Sequence, residues 1–121
     1  MNMISRVLDR LGQDQAQQEA DDLARACART GCTRIADLVP RQTARVTGAV
    51  HSLAVQPAQS PPRLEVELYD GTGVLRLAWL GRRSIDGIRP GAYLTVWGRV
   101  TEVDDQATMF NPGYELLPHH V

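Results

Sequence analysis

Apolar and polar residues alternate strictly from Leu64 to Tyr69: Leu64, Val66 and Leu68 interleave with Glu65, Glu67 and Tyr69. Period-two alternation of this kind marks a half-buried strand. Asp70-Gly71-Thr72-Gly73 follows, and these residue types tolerate positive φ, so the chain can reverse tightly. A second strand then runs to Leu80, with Leu75, Leu77 and Trp79 on the inward parity and Arg76 on the outward one. The segment is a hairpin.

The same pattern extends on both sides. From Thr43, the residues Ala44, Val46, Gly48 and Val50 share one parity, and Leu53 and Val55 take the other. A parity switch within one long strand predicts a β-bulge, with Gly48 permitting a bend. Gln56 to Pro62 is a polar, proline-rich connection. Gly81 to Gly91 is a longer connection with room for one helical turn. A fourth strand is expected from Ala92 to Val103, with Leu94, Val96, Gly98 and Val100 on one side and Tyr93, Thr95, Trp97, Arg99 and Thr101 on the other. Asp104-Asp105-Gln106 is a turn. A fifth strand runs to Tyr114, weakened at Pro112-Gly113.

Upstream of Pro40 the period is helical. Ile4, Val7, Leu8 and Leu11 follow i, i+3, i+4, i+7 spacing, and Gly12 is expected to stop this helix. Asp14 and Gln17 resemble a capping box opening a second helix. Its stripe is Ala16, Ala20, Leu23, Ala24 and Cys27, and Gly31 closes it as a C′ glycine. Two such helices are marginal alone and need a surface to pack on. The β region supplies one, and it is expected to include Trp97. Docking of the first helix on a protein partner is the alternative, with a membrane surface a distant third.

Five strands, a bent first strand and a long connector after the third predict a mainly β protein: a five-stranded, Greek-key OB-fold barrel with an N-terminal α-helical extension. The expected division is a helical extension at 1–40, a barrel at 41–118 and a tail at 119–121.

Composition narrows function mainly by exclusion. The 121 residues carry a formal net charge of −1, so bulk charge announces neither nucleic acid nor membrane. All 13 basic residues are arginine, a bias that GC-rich coding explains as readily as selection for phosphate contacts. No stretch approaches the roughly 20 apolar residues of a membrane span, and Arg6, Asp9 and Arg10 break any secretory h-region, so the cytoplasm is expected. Cys27 reads as a small buried side chain. Cys27, Cys32, His119 and His120 fit no recurrent zinc spacing, and no metal or other cofactor is expected. Asp70-Gly71-Thr72-Gly73 is similar to the aspartic-protease motif. A single copy would need a homodimer to supply the second Asp, and the apolar, glycine-containing segment of retropepsins does not follow. His51, His119 and His120 lack nucleophile partners, so no enzyme is expected.

Val46-Thr47-Gly48-Ala49-Val50, the Asp70–Gly73 turn, Gly91 through Val100, and Met109-Phe110-Asn111-Pro112-Gly113-Tyr114-Glu115 occur in an order that resembles RecG-wedge-like OB domains. The whole chain looks like small actinobacterial OB-fold proteins described as nucleic-acid binding. The resemblance covers about residues 34–117. It implies weak, largely nonspecific binding of single-stranded DNA or RNA. The wedge's two aromatics and Asn after its third strand are replaced here by Trp79-Leu80-Gly81, so the fork-splitting platform is not carried over.

OB domains hold single strands across strands two and three, using cations for the backbone and aromatics for the bases. The candidate contacts are Arg63, Tyr69, Arg76, Arg82, Arg83, Arg89, Trp97 and Arg99. Glu65 and Glu67 oppose them on that face, and Asp86 is placed to pair with the connector arginines. Eight arginines balance eight acidic residues from Arg41 onward, so any binding is expected to be local and salt-sensitive. The alternative function is a protein-interaction or self-association module.

Overall fold

The computed structural model describes the backbone of residues 3–56 and 61–118, and side chains from residue 15 onward. The expected apolar face at Ile4, Val7, Leu8 and Leu11, much of the Gln56–Pro62 connection and the His119–His120 tail lie outside the described residues. The described residues form one helix, α1 (Met3–Thr30), a short 3-10 turn (Ile35–Asp37) and seven strands. The strands are β1 (Thr43–Gln56), β2 (Arg63–Tyr69), β3 (Val74–Leu80), β4 (Tyr93–Arg99), β5 (Thr101–Val103), β6 (Gln106–Phe110) and β7 (Gly113–Leu117). They make one open mixed sheet in the order β5-β6-β3-β2-β1-β4-β7. Among the described strands only the β3–β6 pair is parallel.

The hairpin is as its alternation predicts. β2 and β3 pair from Arg63↔Leu80 to Tyr69↔Val74. Leu64, Val66, Leu68, Leu75, Leu77 and Trp79 all face the core. The β1 bulge is also present, between Val50 and Ser52. Gly48 is needed for a different reason from the expected bend. A Cβ there would come within 2.8 Å of both the Leu68 side chain and the Tyr69 carbonyl oxygen, so the glycine permits close packing.

Further expectations are corrected. A single 28-residue helix runs through Gly12 instead of breaking there. An interior glycine costs about 1 kcal/mol relative to alanine, which a long helix absorbs. The helix does end at Gly31, whose φ of +70° and N–H bond to the Cys27 carbonyl make the expected left-handed stop. Secondly, the buried stripe of α1 is rotated. Leu23 and Ala26 are buried while Ala16 and Ala24 are exposed.

The third correction concerns the barrel. Seven strands in an open sheet replace five strands in a closed one. The expected fourth strand is cut at Val100, whose N–H and C=O turn to Gln42 and Arg41 instead of continuing the ladder. The expected fifth strand is cut at Asn111-Pro112, where Asn111 adopts a φ of +50° and proline has no N–H to donate. The connector between β3 and β4 holds turns and no helix, and it feeds Ile85 and Ile88 into the core. The Asp104-Asp105 turn is as expected, with both residues at positive φ.

α1 packs across the outer face of β1. Leu23 meets Ala49 and Tyr93. Thr30, Thr47 and Thr95 form a hydroxyl chain at 3.2 and 2.9 Å, and Glu19 reaches His51 at 3.0 Å. The Asp70 turn fastens the chain that follows the helix. Asp70 Oδ1 accepts from the N–H and hydroxyl of Thr72 and the N–H of Gly73. Asp70 Oδ2 accepts from the buried Ile35 N–H at 2.8 Å, and Thr72 Oγ1 accepts from the Ala36 N–H. Cys27 is half-buried and disulfide-bonded to Cys32, where a small buried side chain is expected. Hydrophobic burial draws a cysteine inward, but Gly31 folds the chain back and brings the two Cα atoms within 5.1 Å.

Candidate nucleic-acid interface

Pleating sends alternate residues to the outer face, and α1, lying along β1, divides that face into two walls. On the first wall, β2 presents Arg63, Glu65, Glu67 and Tyr69, and β3 presents Val74, Arg76, Ala78 and Leu80. β6 adds Phe110 beside Ala78. Arg63 is 3.5 Å from Glu65, and Glu67 stands directly across from Arg76. Tyr69 is half-buried against the His51 ring, with centroids 4.4 Å apart, and His51 in turn contacts α1. Tyr69 therefore supports the helix more than it offers a free stacking face. The exposed apolar groups here are Val74, Leu80 and Phe110.

On the second wall, β1 presents Thr43, Arg45, Thr47 and Ala49, and β4 presents Tyr93, Thr95, Trp97 and Arg99. The helix buries the Thr47, Ala49, Tyr93 and Thr95 end. Trp97 is 38% exposed, and the residues expected to cover it, Ile4, Val7, Leu8 and Leu11, lie outside the described side chains. Two other neighbours position the indole. The Arg45 guanidinium carbon lies 5.0 Å from the ring centroid, a cation–π contact worth about 0.5–1 kcal/mol at an exposed site. The ring also lies over Gly113, its partner in the β4–β7 register, where an added Cβ would overlap the indole. Arg99 follows on the same face. Below it a groove of about 500 Å³ is lined by Pro40, Arg41, Arg99, Val100, Thr101 and Glu102.

The connector arginines lie toward its two ends. Arg82 and Arg83 are exposed at the end of β3, next to Gly81, whose N–H bonds the Pro62 carbonyl. Arg89 is exposed at the far end of the connector, beside a cleft that also involves Leu116 and Leu117. Among the described residues Arg41, Arg45, Arg76, Arg82, Arg83, Arg89 and Arg99 form no ion pair, and the expected pairing with Asp86 is not seen. Sequence reasoning missed Arg45, Arg41 and Phe110. The outward parity of Arg45 was readable, but its alignment with Trp97 depends on strands about 50 residues apart.

Trp79 is core, as its parity implies. It is 5% exposed and donates from Nε1 to the Pro112 carbonyl at 3.2 Å. Asp70 has its carboxylate oxygens engaged by the turn and by Ile35. Among the described residues no cluster of His, Cys, Asp or Glu could hold a metal ion, and no described helix is long and apolar enough to cross a membrane.

No protein-family model and no curated protein sequence matches the chain. Among solved structures, the chain is similar to RecG in a complex with a three-way DNA junction, with a TM-score of 0.56 and 22% identity. The alignment covers 72% of this chain and 12% of the RecG chain, so this chain spans only a small part of that protein's length. The likeness is one of fold.

Proposed function

We propose that this chain is a non-enzymatic OB-type module that binds single-stranded nucleic acid weakly and with little sequence preference, DNA more readily than RNA. The observation that carries the reading is the fold likeness to RecG, a protein solved on a DNA junction. The OB plan is consistent with the connectivity. β5 at one end of the sheet order and β4 near the other are joined through Val100 alone, so the open ladder curls back on itself. Arginines without carboxylate partners supply phosphate contacts, and near-neutral overall charge keeps the affinity low.

The test is fluorescence anisotropy with labelled oligo-dT, oligo-U and duplex DNA. Binding at micromolar protein is expected in about 50 mM salt, with severe loss by about 200 mM. Absence of binding to any of the three at low salt would refute the proposal. The exposed Val74, Leu80 and Phe110 favour a second reading, a protein-interaction surface on the first wall.

A further inference from the structure

We infer that single-stranded nucleic acid is held on the second wall, by Arg45, Trp97, Arg99 and Arg41, with Trp97 stacking on a base. This rests on the binding function proposed above and assigns it a place that the usual strand-two and strand-three platform of OB domains does not occupy.

Four observations point there. Trp97 is an exposed aromatic whose ring is already oriented, since Gly113 gives it a flat seat and Arg45 approaches it at 5.0 Å. A base can stack against this guanidinium–indole pair, because every base has a π-face and an arginine plane stacks as well as an indole. Arg45 stands across from the ring on β1, Arg99 follows it along β4, and Arg41 lines the groove that continues past Arg99. None of the three is tied to a carboxylate among the described residues. Arg41 is fixed by its backbone, which adopts a φ of +75° and donates its N–H to the Val100 carbonyl.

The opposing charges are Glu102 in the groove and Glu115 on β7, so the local balance still favours an anion. On the first wall Arg63 contacts Glu65 and Arg76 stands across from Glu67, so two cations are matched by two carboxylates. A strand running from Trp97 toward Arg41 would place a base on the indole and successive phosphates along the arginines.

Oligo-dT anisotropy on the full chain tests the assignment. Trp97→Ala should weaken binding by between about 5- and 150-fold, the worth of one stacked base, and Trp97→Tyr should retain most of the affinity. Gly113→Ala, which unseats the ring while keeping it, should also weaken binding. Arg45→Ala and Arg99→Ala should each reduce the slope of log K against log salt by about 0.7. Phe110→Ala on the first wall should change affinity by less than about twofold.

Intrinsic fluorescence supplies a readout that needs no variant. Trp79 is buried, so quenching of the exposed Trp97 on adding oligo-dT is expected. If the unaltered chain binds with no quenching and Arg45→Ala and Trp97→Ala leave binding unchanged, the placement is wrong while the binding function stands. If it does not bind at all, both fail. If Trp97→Ala dissociates an oligomer in light scattering and leaves oligo-dT binding intact, the wall is a self-association surface and the inference is overturned.

Discussion

The two outer walls are built from the same materials and end in different states. Each has arginines and an exposed aromatic, with glutamates on its own strands or on an adjoining one. On the first, charges cancel within the pleat: Arg63 contacts Glu65, and Arg76 faces Glu67. On the second, register sets Arg45 against Trp97 and Thr43 against Arg99, so no glutamate is opposite a cation. The helix sharpens the contrast. It occupies the second wall as far as Thr47 and Thr95 and leaves the end beyond them open. Composition gives both walls similar potential, and strand register decides which can attract an anion.

The largest expected effect comes from loosening what holds the helical segment in place. Asp70→Ala removes the carboxylate that takes the Ile35 N–H and three donors of its own turn. A charged acceptor and a buried N–H left unsatisfied together predict a loss of about 2–3 kcal/mol in urea denaturation. If the loss is under about 0.5 kcal/mol, the turn does not anchor the 3-10 segment and the second wall's boundary is set elsewhere. Reduction of Cys27–Cys32 by a dithiol acts on the same region and should cost about 2 kcal/mol, the loop-closure entropy of a short ring. Oligo-dT affinity should change little, because the disulfide lies at the helix end and not at Trp97.

A gentler change tests the first wall. Glu65→Gln combined with Glu67→Gln leaves Arg63 and Arg76 without opposing carboxylates. Affinity for oligo-dT should rise by only about two- to fourfold at low salt, the scale of exposed charge pairs. A gain larger than the loss from Trp97→Ala would move the site to the first wall.

The hairpin, the bulge and the core parity were legible because each is a short-range pattern of period two. Asp70-Gly71-Thr72-Gly73 was readable as a turn for the same reason, though not as the anchor for Ile35, 35 residues away. What escaped depends on distant partners. The ladder breaks at Val100 and Asn111 follow from bonds to Gln42 and from a left-handed backbone, neither of which alternation records. The phase of α1 was misread because an alanine-rich stripe gives almost no contrast between faces. The site residues were readable as types only. Outward parity identified Arg76, Trp97 and Arg99, while the pairing of Arg45 with Trp97 and of Arg76 with Glu67 is a property of register.

The smallest effect probes the covered end of the second wall through Tyr93. Burial under α1 raises the phenol above its ordinary value, and the nearby Glu19 and Asp22 carboxylates add to the shift. Its ordinary value is about 10, so below that pH both folded and unfolded chains keep the proton and no stability depends on it. Above about pH 10 the unfolded chain ionises first, the folded chain binds more protons, and stability falls as pH rises toward the folded value. Tyr93→Phe should therefore flatten the decline of Tm between about pH 9.5 and 11, where the unaltered chain slopes downward. Glu19→Gln with Asp22→Asn should remove only part of the slope, because burial is the larger cause and the helix still covers the ring. Parallel profiles for Tyr93→Phe and the unaltered chain would mean that α1 does not seal this end, and the boundary between covered and open wall would lose its physical basis.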